Sequence, residues 1–218
     1  MLWALAQPVS FLGLAVAFCA GLLLRRCVHY GCSLPWKPGQ HRAAGTAFDV
    51  RRDIDPYGAV AALVCGTGWG AVSSTVRGGV VALLAGPAAV IAASQAVFAG
   101  YVLTDLGQMQ LAMLAPSDAL RGATGEPMQQ FGLSVAVGLL AFGVVALLPL
   151  PPLDGWSLVD RVVRRPGRGW QQARYWLQDR NIGVLILLIA VLIPVFSGRP
   201  LLLWLLDVVL TPVLRAWA

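Results

Sequence analysis

The sequence predicts an all-α, polytopic helical membrane protein with about four to six membrane segments, one of them re-entrant. Of its 218 residues, 58% are hydrophobic and 12% charged, whereas a soluble domain carries about 25% charge. Mean hydropathy is +0.73. Several apolar runs are long enough to cross the roughly 30 Å hydrocarbon layer, and basic residues cluster at their ends. A net charge of +6 placed in this way points to anionic lipid headgroups and away from nucleic acid. The length suits a single membrane domain over residues 1–218.

Ala4 to Leu24 is nearly uninterrupted in its apolarity and has no basic leader, so it is expected to be a retained span rather than a cleaved signal. Gly13, Ala17 and Gly21 recur every four residues, a smooth stripe for another helix to approach. Arg25 and Arg26 end the run, and residues 25–56 read as a polar cytoplasmic loop. Residues 57–76 are apolar but broken by Gly58, Gly66, Gly68 and Gly70, which favours a re-entrant segment lined by protein.

Val80 to Leu103 is a clear span with a second stripe at Ala88, Ala92, Ala96 and Gly100. Residues 104–130, with three acids against one arginine, read as an external loop, and Phe131 to Leu150 as the next span. Residues 157–180 carry six arginines and two aspartates and read as a cytoplasmic basic loop, with Trp170, Tyr175 and Trp176 available to rest at the interface. Asn181 to Phe196 and Leu201 to Leu214 are short, and fit either two spans or one span and an interfacial helix. If 57–76 is re-entrant, both basic stretches fall on one side of the membrane, and the positive-inside bias makes that side cytoplasmic.

The stretch Leu147 to Asp160 draws the most attention. Pro149, Pro151 and Pro152 break the apolar run just before Asp154 and Gly155. A carboxylate in such surroundings needs water, a cation, a metal or convergent donors, or else serves as a cap for the helix that follows. Taken in order, Ile54-Asp55-Pro56-Tyr57-Gly58, then Gly68-Trp69, then Ala85-Gly86-Pro87, and finally Pro151-Pro152-Leu153-Asp154-Gly155 resemble the site-2 protease family of intramembrane zinc peptidases. The resemblance implies that Asp154 matches the aspartate completing the zinc site and that Pro151 and Pro152 hold an extended segment beside it.

Members of that family take their other zinc ligands and general base from an H-E-x-x-H motif, in which two imidazoles share one helix face around a carboxylate. This chain has none. The corresponding span reads Phe18-Cys19-Ala20-Gly21-Leu22-Leu23-Leu24-Arg25-Arg26, and the histidines, His29 and His41, fall in the polar loop. No catalytic residue is therefore assigned, and no cofactor is expected. A weaker ligand set for an alternative zinc site is Asp154 with Cys27, His29 and Cys32. Asp55 and Pro56 read as the start of the broken segment, an N-cap followed by a first-turn proline.

The expected function is that of a catalytically inactive, site-2 protease-like pseudoprotease, a binding or scaffold subunit that engages another integral membrane protein of the cell membrane. Two alternatives stand beside it. One is an atypical intramembrane zinc metalloprotease using Asp154. The other is a small transport or channel subunit, suggested by the broken segment and the apolar settings of Asp154 and Asp207.

Overall fold

The structure is a computed structural model that describes residues 4, 6–33, 53–71, 79–104, 107–123, 125–163, 166–196 and 198–218. The helices are α1 (Pro8–Ser33), α2 (Pro56–Cys65), α3 (Gly79–Val102), α4 (Gly107–Met113), α5 (Pro116–Arg121), α6 (Pro127–Ala146), α7 (Asp154–Val162), α8 (Arg168–Arg174), α9 (Ile182–Leu192) and α10 (Leu201–Trp217). A π-helical turn at Tyr175–Asp179 follows α8. An antiparallel pair, β1 (Pro194–Phe196) and β2 (Arg199–Pro200), joins α9 to α10.

The protein is a helical membrane protein built on α1, α3 and α6, which pack against one another. Each is long and apolar enough to cross a bilayer, and α8 with its π-helical turn and α9 makes a fourth candidate, bent by 62°. At 17 residues α10 is about 25 Å long, just under a full crossing. Large aliphatics such as Leu12, Val16, Leu23, Val81, Leu185 and Val208 lie on the outer surface, where lipid tails are their natural solvent.

Small residues set the approach of the bundle helices. A Cβ added at Gly13 would lie 2.8 Å from Ser134 Cβ, one at Gly138 2.7 Å from Ala17 Cβ, and one at Gly21 3.0 Å from the Phe142 ring. The Gly13, Ala17 and Gly21 stripe is thus consumed inside the protein, against α6. The second stripe is not. Ala88, Ala92, Ala96 and Gly100 are all exposed on the outer face of α3.

Three stretches expected as loops contain helix. Helix α1 runs on to Ser33, so Arg25–Ser33 belongs to the span and not to the polar loop. Its two arginines are tolerated because each meets an acid, Arg25 with Asp154 and Arg26 with Asp53. Within 104–130 lie α4 and α5, the latter opened by Pro116 at its first position. Within 157–180 lie most of α7, then α8 and the π-helical turn, held by Trp156 stacked on Trp170 at 5.3 Å and by Trp170 donating to Asp160. Tyr175 and Trp176 remain exposed, with the Arg180 guanidinium near both rings.

The broken segment turns back on itself. Helix α2 descends from Asp55, Gly66 reverses the chain at φ 82°, and Ala71 N–H donates to Asp53 C=O at 3.0 Å, joining the two ends of the segment. Ten residues of helix cover only about 15 Å. In the described part of 57–76 the chain therefore returns to the residues from which it set out. Residues 72–76, like His41, lie outside the described residues.

Candidate functional site: a buried arginine–aspartate pair

The C-terminal half of α1 carries Arg25 and the first position of α7 carries Asp154. They meet as a two-pronged pair, with Nε donating to Oδ2 at 2.6 Å and Nη2 to Oδ1 at 2.5 Å. Both side chains are buried, 7% and 2% exposed. A planar guanidinium matches a carboxylate in this fork, and taking two charges out of water is tolerable only with such geometry. Asp154 does not cap its helix: it lies inside α7, the cap position is Leu153, and its charge goes to Arg25. Placement in the first turn also favours the carboxylate electrostatically.

The surroundings are shaped by glycines. Gly155 lies so close to the end of α6 that a Cβ would fall 2.1 Å from Leu147 O and 2.4 Å from Leu148 O, which fixes Asp154 next to the bundle. A Cβ at Gly70 would meet Arg25 Nη1 at 2.9 Å, so the arm of the hairpin that returns from Gly66 lies directly over the guanidinium. Gly86 makes room for His29, whose Nε2 would sit 2.4 Å from a Cβ there. His29 is buried in α1 rather than exposed in a loop. Its Nε2 is buried and has no hydrogen-bond partner among the described residues.

The other motif residues divide between this site and its support. Asp55 caps α2 by accepting from Tyr57 N–H at 3.1 Å and accepts from Trp69 Nε1 at 2.6 Å. Pro56 starts the helix. Gly58 and Gly68 face each other so closely that a Cβ on Gly58 would fall 2.0 Å from Trp69 O and one on Gly68 2.0 Å from Gly58 O. Together these residues close the hairpin above Arg25. Pro87 lies inside α3 beside Gly143. Pro151 is buried against Gly183 at the start of α9, and Pro152 leads into Asp154.

A zinc centre does not fit the described residues. The Asp154 carboxylate is engaged on both oxygens by a cation from the chain itself, and no group of three or more His, Cys, Asp or Glu side chains able to hold a metal is present among them. The Cys27, His29 and Cys32 set is not gathered. His29 is buried, Cys27 points outward from the same helix, and Cys32 packs beside Ala82 and Leu83. Arg25 was not singled out as the partner of Asp154 from sequence. The available signal was its spacing of four from His29, which places both on one helix face.

Asp207 is a structural anchor. It accepts from Ser117 N–H and Ser117 Oγ, both at 2.7 Å, and from Arg199 Nη1 at 2.9 Å, while Arg199 also pairs with Asp118. This network docks α10 onto α5. Asp207→Ala is expected to lower stability by about 2–3 kcal/mol, since it strands the Ser117 amide and takes from Arg199 one of its two acids. Limited proteolysis cutting selectively at 197–200 in the variant would display the released α10. No protein-family model, curated protein or solved structure matches the chain.

Proposed function

We propose that the chain is a catalytically inactive, site-2 protease-like protein of the cell membrane that serves as a binding or scaffold subunit for another integral membrane protein. The observation that carries this reading is the Arg25–Asp154 pair, which commits the one retained family acid to a guanidinium inside the bundle. Peptide hydrolysis at Asp154 would require an activated water and a base, and both oxygens of its carboxylate accept from Arg25. The motif glycines and prolines keep packing roles around this closed centre.

The outward stripe Ala88, Ala92, Ala96 and Gly100 supports the scaffold half of the reading, because small residues let a second helix backbone come close. Orientation follows from charge. The pair Arg25–Asp154 puts the C-terminal end of α1 and the 157–180 stretch at the same end of the bundle. The positive-inside bias assigns that end to the cytoplasm, within reach of anionic headgroups.

Metal analysis of detergent-purified protein, wild type against Asp154→Ala, tests the reading, together with cross-linking in the membrane from Ala92→Cys. Metal-free wild type that cross-links to a distinct membrane protein is the expected result. Stoichiometric zinc that disappears in Asp154→Ala would overturn it in favour of an atypical metallopeptidase.

A further inference from the structure

We infer that Arg25 stands in the place of a metal ion's first nitrogen ligand, and that its guanidinium supplies to Asp154 the positive charge a metal would otherwise supply. This rests on the proposed reading and makes it more specific: the centre is a metal site rewritten on one face of α1, with the opposite wall left intact. Arg25-Arg26-Cys27-Val28-His29 has the spacing of H-E-x-x-H. The first position has become the cation, the second has reversed its charge and pairs with Asp53 at 3.2 Å, and the last is still histidine.

Three observations hold the register. Arg25 and His29 lie one turn apart on one helix face, and both are buried. His29 presents a buried Nε2 with no hydrogen-bond partner among the described residues, beside a glycine whose missing side chain leaves room for the ring. Asp154 reaches α1 at Arg25, with Nε donating to Oδ2 at 2.6 Å. An unbonded imidazole nitrogen within a packed interior is an expensive thing to keep unless the space around it was shaped for a ligand bond.

The inference predicts that the site reverts by changing α1 alone. In a histidine at position 25 the imidazole Nε2 is as many bonds from Cα as the arginine Nε, which already lies 2.6 Å from Asp154 Oδ2. Arg25→His would therefore assemble two imidazoles and one carboxylate, three ligands with a fourth position open. Arg26→Glu would add the missing carboxylate between them.

The test is metal loading of the full chain in detergent micelles, followed by removal of excess metal and elemental analysis. Arg25→His and Arg25→His/Arg26→Glu are expected to retain about one zinc per chain, and to give with cobalt(II) the intense visible absorption of a tetrahedral site. Adding His29→Ala or Asp154→Asn to Arg25→His should abolish both signals. An Arg25→His protein that becomes monodisperse only when zinc is supplied is the same positive result, because metal binding is then folding free energy. Folded Arg25→His that stays metal-free, or a variant that remains misfolded with zinc present, overturns the inference. Wild type that is itself metal-free leaves the inactive reading standing in either case, whereas zinc in the wild type, lost in Asp154→Ala, would overturn both.

Discussion

Arg25→Ala and Asp154→Ala are each expected to cost about 3–5 kcal/mol of stability, while Arg25→Met combined with Asp154→Leu costs less than either alone. The single substitutions leave one charge buried where its partner was. The pair is only 7% and 2% exposed, so little water can reach the survivor without rearrangement of the hairpin above it. The double substitution removes both charges and fills the space with apolar groups of similar size. Reversible unfolding in mixed micelles, run as a double-mutant cycle, measures the coupling. Losses under about 1 kcal/mol for the single variants would mean that Arg25 escapes to the membrane surface along its own stem, and that the pair contributes little to the closed centre.

Much of the bundle was legible in the chain because the three long spans announce themselves by uninterrupted apolarity. The Gly13, Ala17 and Gly21 stripe was legible as a packing face, although only the structure shows that α6 takes it up and that the Ala88 to Gly100 stripe stays outward. Glycine density and charge bias point to re-entry at 57–76, and the described part of that segment brings Ala71 N–H back to Asp53 C=O. What sequence could not supply was pairing over distance. Arg25 and Asp154 are separated by 129 residues, and without that partner a double arginine reads as the end of a span. His29 was assigned to a loop for the same reason, since the helix continues past Arg26 only because both charges are met. Asp207 looked like an isolated acid in an apolar helix until Ser117 and Arg199, from two other parts of the chain, converged on it.

Gly58→Ala is expected to cost about 3 kcal/mol or more, or to prevent folding altogether. The new Cβ would sit 2.0 Å from Trp69 O, 2.8 Å from Trp69 C and 3.0 Å from Trp69 Cδ1. The two closest of these are backbone atoms, so no flexible side chain can swing aside to relieve them. Separation of the two arms would break the Trp69 Nε1 bond to Asp55 and lift Gly70 from Arg25. The damage would then pass from a packing site to the buried charge pair. Gly68→Ala should behave alike, since its Cβ would fall 2.0 Å from Gly58 O and 2.9 Å from Ala62 Cβ. Gly31→Ala supplies the contrast: nothing lies within 4 Å of the added methyl, and replacing glycine in a helix should stabilise by up to about 1 kcal/mol. Hydrogen exchange at Ala71 N–H, which closes the hairpin on Asp53 C=O, reads the effect locally. Fast exchange at Ala71 in Gly58→Ala and unchanged protection in Gly31→Ala are the expected pattern, and equal protection in both would mean that the arms can separate without opening the hairpin's mouth.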